Sequence, residues 1–268
     1  MKFLKEYLPP ILIKKITGLL YGWSGNYKSW DQAKKKCTGY DNGVIFEKVK
    51  SSLLKVKNGL AVYERDSVLF DKIQYSYPLL SALYNIAILK QGNLNVLDFG
   101  GSLGSTYFQN KSMLENLSDY KWCIVEQSHF VEEGKTSFAD EHLNFYTDIN
   151  ACLKENSPNV ILLSSVLQYL EKPYDLISFI LSNDIEYIIV DRAPMLRKGN
   201  DRITIQKVPS KIYKASYPCW LLNEKKFLEV FLRKYDLVFD DYLNESINIS
   251  DANYRFFFFR IKSYSSSN

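Results

Sequence analysis

The stretch NVLDFGGSLGST, residues 95–106, decides the fold. An apolar run closes on Asp98 and Phe99, and Gly100, Gly101 and Gly104 follow within a few positions. This pattern predicts a buried strand that turns sharply and opens a helix near Ser105. Glycine belongs there where the main chain takes positive φ, or where a ligand lies against bare amides at a helix start. A tight strand-to-helix connection without a ligand satisfies the same pattern, so the surroundings must choose.

Outward from this stretch, short apolar runs alternate with helical segments. The runs are NVLDF (95–99), WCIVE (122–126), NFYT (144–147), NVILLSS (159–165), IEYIIVD (185–191), DLVFDDYL (236–243) and YRFFFFRI (254–261). Helical stretches fall between the first six, the last of them opened by Asn223. Such alternation predicts an α/β fold with a parallel sheet covered on both faces. Only a short loop separates the last two runs, so they should pair antiparallel. The unbroken FFFF suits a strand buried on both sides. Seven strands are expected, mostly parallel, with the last one antiparallel.

Residues 1–92 read instead as a helical region. Ser29 and Gln32 have capping-box spacing ahead of WDQAKKKC, with Gly39 as a stop. A second helix is expected over residues 44–56, closed by Asn58-Gly59. Asp66 is placed to cap a short helix through Tyr75, and Pro78 suits the first turn of a helix ending at Gly92.

The chain has 268 residues, 46% hydrophobic and 24% charged, with 20 Tyr and 16 Phe. A net charge of +4 is too small to argue for nucleic acid, and no RNA- or DNA-binding signature is present. Four scattered cysteines (Cys37, Cys123, Cys152 and Cys219) and two histidines give no zinc pattern, so no metal is expected. They suit a reduced, cytoplasmic setting. Glu6 and Pro9-Pro10 interrupt any signal-peptide core, and Lys14 and Lys15 break the apolar run that follows. Ile11, Leu12, Ile16, Leu19 and Leu20 would line one face of a basic helix, packed on its own protein or resting on the inner face of a membrane.

Two nucleotide-binding patterns compete for the opening stretch. A dinucleotide fingerprint, G-x-G-x-x-G, needs glycine where Ser102 and Ser105 stand, which weakens a dinucleotide-dependent oxidoreductase or epimerase. In D-x-G-x-G-x-G the acid ends the strand and the turn cradles S-adenosylmethionine. Asp98, Gly100 and Gly104 match it, with Ser102 in the middle place. Phe99 and Gly101 complete the turn. Glu126 ends the second strand, where an acid grips ribose hydroxyls, with Gln127 beside it; a solvated strand-end acid is the alternative. Asp148, followed by Ile149, sits after the third strand to meet an adenine amino group or to cap a helix. Ser164 and Ser165 end the fourth strand, at the carboxyl edge where open α/β sheets bind ligands.

Three stretches carry a family resemblance: GWSGNYKSWDQAKKKCTGYDN (22–42), VYERDSVLF (62–70) and VLDFGGSLGSTYFQ (96–109). Together they resemble a bacterial family of class I methyltransferases met among surface-polysaccharide (O-antigen and capsule) biosynthesis genes. The resemblance implies a Rossmann-like methyltransferase core over 93–268 and a helical acceptor-side cap over 1–92. It also implies a saccharide or saccharide precursor as acceptor.

Methyl transfer to oxygen is an in-line displacement that gains most from positioning and a water-poor pocket, with some help from a general base. Asp191, ending strand five, and Tyr169, after strand four, are the candidate catalytic residues; a strand-end cap and a packed ring are their plain alternatives. His129 lies on the cofactor side, and His142 reads as structural. Residues 192–214, within an expected lid insertion over 191–222, carry seven basic residues against the single acid Asp201. Arg192 and Arg197 in this lid would meet a phosphate-bearing acceptor such as a nucleotide sugar or lipid-linked glycan. Tyr217 and Trp220 offer rings to a sugar, and Arg65 and Tyr27 would close the pocket with Trp23, Trp30, Tyr63, Glu64 and Asp66. A solvated loop and ordinary ring packing explain the same residues. A methyltransferase-fold subunit without activity, serving a partner enzyme, is the remaining alternative.

Overall fold

Two-residue alternation is absent from the central strands because both of their faces are covered. The computed structural model describes residues 21–38, 42–209 and 215–263. The expected basic N-terminal helix, Gly39, Lys211, Lys214 and most of the polar tail lie outside the described residues. The chain runs through β1 (Gly22–Tyr27), α1 (Trp30–Lys34), α2 (Asn42–Lys57), β2 (Tyr63–Arg65), β3 (Val68–Phe70) and α3 (Tyr77–Leu89). It continues through β4 (Asn93–Phe99), α4 (Ser105–Leu114), β5 (Asp119–Val125), α5 (Ser128–Glu133), β6 (Leu143–Tyr146), α6 (Ile149–Glu155) and β7 (Val160–Ser164). After α7 (Pro173–Ser182) come β8 (Tyr187–Leu196), β9 (Arg202–Lys207), β10 (Ser216–Asn223), α8 (Glu224–Phe231), β11 (Tyr235–Tyr242) and β12 (Ala252–Ile261).

Strands β6-β5-β4-β7-β8 are parallel neighbours, β12 pairs antiparallel with β8, and β11 pairs antiparallel with β12. These are the seven expected runs. On one face Val96, Ile124, Leu162 and Ile189 pack against α3 and α4 through Leu83, Ile86 and Tyr107. On the other, Leu97, Cys123, Ile161 and Ile188 pack against α6, α7 and α8 through Cys152, Ile177 and Phe227. The FFFF run divides between the two: Phe256 and Phe258 join the first cluster, Phe257 and Phe259 the second, all at 0% exposure. Each ring removed from water there contributes about 2–3 kcal/mol.

The sheet extends beyond seven strands to ten, in two places where a different structure was expected. Among the described residues, 192–209 are not a lid loop. β8 continues to Leu196, and β9 and β10 form an antiparallel pair on its flank, β10 touching β8 at Leu222 and Asn223. The cations conceal the apolar side of this segment: Ile203 and Ile205 are buried against Ala33. The N-terminal region is likewise not all helical. β1 pairs with β9 and forms the sheet edge, with Gly22 and Gly25 at positive φ and Trp23 buried. The Asn248 side chain holds both main-chain groups of Trp23, at 2.8 and 2.9 Å, and ties that edge to the β11–β12 loop.

Asp66 caps no helix. With Ser67 it forms the two-residue turn of a β2–β3 hairpin, both residues at positive φ (53° and 66°), the twist that two-residue hairpins favour. The expected helix starts at Ser29 and Pro78 are present: Ser29 Oγ accepts the Gln32 amide at 3.2 Å, and Pro78 opens α3. Among the described residues no helix is long and apolar enough to cross a membrane.

Candidate cofactor and acceptor site

Crossovers lead from β4 to β5 and β6 in one direction, while β7 and β8 lie in the other. The crevice outside the carboxyl ends of β4 and β7 is therefore a topological switch point, where open α/β sheets take ligands. Three non-glycine residues around it hold left-handed backbone: Ser102 (φ 56°) after β4, Ser165 (φ 52°) after β7, and Arg192 (φ 54°) where β8 passes. Each costs about 1–3 kcal/mol and persists only where its surroundings fix it, a burden that gathers at ligand sites.

The turn after β4 takes its shape from protein neighbours. A Cβ at Gly100 would stand 2.5 Å from Val166 Cγ2, and one at Gly101 2.6 Å from the Asp98 carboxyl. Gly104, at φ 106°, is the N-cap of α4. Ser102 adopts the conformation that the missing middle glycine would have taken freely. Asp98 does not face the crevice: it is 1% exposed and accepts Trp122 Nε1 at 3.0 Å. Burial raises its pKa to about 7, with Trp122 opposing and Glu126 and Asp191 adding to the rise. It supports the turn from beneath. Phe99 packs into the second core cluster, so only its main chain borders the turn.

Glu126 is half-buried, its carboxylate accepting the Gln127 amide at 2.6 Å and facing the Ser102 amide. Burial raises its pKa against those amides. Gln127 is exposed and is the N-cap of α5. Asp148 is exposed and caps α6 by accepting the Ala151 amide at 2.8 Å, while the Ile149 side chain is buried in the core. An adenine contact by Ile149 is thus limited to its main chain.

Ser164 and Ser165 serve Asp191. Ser164 Oγ donates to Asp191 Oδ2 at 2.9 Å, and the Ser165 amide donates to the Asp191 carbonyl at 2.8 Å. Ser76, just ahead of α3, donates to Asp191 Oδ1 at 3.2 Å. Asp191 is 2% exposed, and burial raises its pKa although Arg192 opposes this. It is closed to direct contact with an acceptor. Tyr169 donates to Gln206 Oε1 at 2.9 Å, and burial holds its phenol well above the ordinary value, so it is no base at neutral pH. Neither expected catalytic residue stands ready as a free base.

The β2–β3 hairpin covers the start of α4. Glu64, 2% exposed, accepts Ser105 Oγ and the Ser67 amide, each at 2.6 Å. Arg192 pairs with Glu245 at 3.1 Å and Asp66 at 3.7 Å, and Arg65 reaches Glu245 at 3.5 Å. The remaining acceptor-side residues do not converge there. Arg197 donates to the Ser250 carbonyl, and Arg202 to that of Gly25. Trp220 stacks on Trp30, Tyr27 lies beneath Lys36, and Tyr217 meets Tyr169 edge-on at 5.2 Å. His142 stacks on Tyr120 and bonds its carbonyl.

Residues that sequence reasoning missed are Ser76, Glu245 and Gln168. Gln168 is 1% exposed; its amide nitrogen donates to Ser165 Oγ at 2.9 Å, and its amide oxygen has no partner among the described residues. Ser76 carried a weak signal, standing ahead of the Tyr77-Pro78 helix start; the other two carried none.

No family model matches the chain, and no curated protein matches it. Among solved structures, the N-terminal domain of EvdMO1 with SAH bound superposes with a TM-score of 0.50 at 10% identity, over 80% of this chain and 97% of that one. The same values hold for that domain in the presence of SAH and D-fucose. Magnesium protoporphyrin IX methyltransferase from Synechocystis PCC 6803, with bound SAM, gives 0.46 at 12% identity over 69% of this chain and 78% of that one. The fold is the class I methyltransferase fold. The turn after β4 and the acid after β5 lie at the carboxyl ends of two neighbouring parallel strands.

Proposed function

We propose that the chain is an S-adenosylmethionine-dependent methyltransferase that methylates an oxygen of a saccharide or phosphorylated saccharide precursor, within bacterial surface-polysaccharide biosynthesis. One observation carries this reading: at the switch point, Glu126 faces the amide of a turn whose Gly100 and Gly101 admit no side chain. Main-chain donors beside a carboxylate suit a nucleoside that offers two ribose hydroxyls, so the residues present fit this cofactor. The turn from Gly100 to Gly104 and Glu126 would hold it, with Asp148 toward the base. When bound, S-adenosylmethionine supplies an electrophilic methyl carbon.

The chain's own part is to position and to exclude water. Asp191 fixes Ser76 and Ser164 in one orientation, and the hydroxyl of Ser76 can pass a proton toward it. Arg65 and Arg192 are already neutralised by Asp66 and Glu245, which favours a neutral sugar over a phosphate at this spot. A sugar panel is further supported by the crystallisation of a domain of this fold in the presence of D-fucose. A methyltransferase-fold subunit without activity is a second reading, favoured by the closure of Asp191.

Calorimetry with S-adenosylhomocysteine and with NAD tests the cofactor. Binding of the first alone is expected, and binding of NAD alone would return the oxidoreductase alternative. Methyl transfer to neutral glycosides, nucleotide sugars and sugar phosphates then tests the reaction. Cofactor binding with no transfer across that panel would favour the inactive subunit.

A further inference from the structure

A second hollow lies between the first turns of α7 and α8, bounded by β10 and the β8–β9 connection, and encloses about 420 Å³. That is within the range of small-molecule sites, about 300–1,000 Å³. Both helices start at the carboxyl ends of parallel strands, so the hollow opens on the same edge of the sheet as the crevice. It shares no lining residue with the turn after β4 or with Glu126.

Two helix starts and a lysine would ordinarily invite an anion, yet Asp201 already occupies the α8 start and the lysine. Asp201 accepts the Asn223 amide at 2.7 Å, the Tyr174 hydroxyl at 3.3 Å and the Lys226 ammonium at 2.5 Å. What remains is the edge of the Trp220 indole, the part of the Tyr174 ring that the Lys226 ammonium, 4.4 Å from its centroid, leaves uncovered, and the exposed amide of Asn200. Trp30 already stacks on Trp220 at 6.2 Å, so no slot between two rings awaits a flat base. Ring surface beside the exposed Asn200 amide matches a pyranose, which has apolar C–H faces and a rim of hydroxyls.

We propose that this hollow is an outer saccharide subsite that takes a neutral pyranose unit of an extended acceptor. Its place in a reaction rests on the saccharide reading above, but its binding needs no methyl donor. Saturation-transfer NMR with the methyl glycosides of glucose, galactose and N-acetylglucosamine tests it on the full chain. Asn200→Trp fills the hollow from an exposed loop, and Tyr174→Ala removes one wall; Glu126→Ala serves as the control. Saturation of at least one glycoside is expected with the unaltered chain and with Glu126→Ala. An affinity loss of tenfold or more is expected in Asn200→Trp and Tyr174→Ala, both checked for folding by thermal melts.

Absence of saturation with the unaltered chain overturns the proposal. So does equal binding by both hollow variants, or preferential uptake of glucose 1-phosphate or adenosine there. Sugar binding without S-adenosylhomocysteine binding would sink the methyltransferase reading and leave the subsite standing; the reverse result would do the opposite.

Discussion

Charge is handled in opposite ways on the two flanks of β8. Toward β4, the acids Asp98, Glu64 and Asp191 are 1–2% exposed and accept bonds from indole, hydroxyl and amide donors. Toward β9, cations lie outside and hold main-chain carbonyls, as Arg202 holds Gly25. The acids are therefore fixed in the framework that supports the crevice, whereas the cations clamp one segment to another. Burial, more than residue type, decides which groups are available to a ligand.

The contrast breaks most sharply at Gly101. Gly101→Val forces a branched carbon against the fixed Asp98 carboxyl and should cost about 3 kcal/mol, the upper end for overpacking, read by denaturant unfolding. A pH series on the same flank comes next. Asp98 is raised when folded, so it holds its proton more tightly there than in the unfolded chain. Its penalty is absent below its unfolded value near 4, grows as pH rises, and is complete above about 7. Unfolding free energy should then fall by roughly 2 kcal/mol between pH 5.5 and 8, at about 1.4 kcal/mol per pH unit. Asp98→Asn should flatten that slope; an unchanged slope would place the titration elsewhere.

Glu126→Ala should weaken S-adenosylhomocysteine by about tenfold or more in calorimetry while moving the melting temperature little, since a bond to a charged group contributes about 1.5–3 kcal/mol. The smallest effect belongs to the other flank. Arg202→Met should change stability by less than about 1 kcal/mol and leave cofactor affinity within twofold, as for other partly exposed charges.

The seven core strands were legible because each is a short, doubly buried run with its partner set by the βαβ rhythm. The turn after β4 and Glu126 were legible because they are local to those strand ends. β1 was not: GWSGNY has no apolar period and pairs with β9 about 180 residues away. The hairpin at Asp66-Ser67 lacks the usual Asn-Gly signal and relies on two strained residues. The state of Asp191 was equally hidden, because Ser76 reaches it from a helix start 115 positions earlier.

The phenylalanine run of β12 ties together both halves of the interior, and of the described strands it is the last to be made. A ribosome delivers β4 to β8 long before residues 256–259 exist, so the growing chain holds two open apolar faces in the meantime. Nascent chains released before that point should be avid clients of chaperones and prone to clump, while a few further residues would convert them to a closed particle.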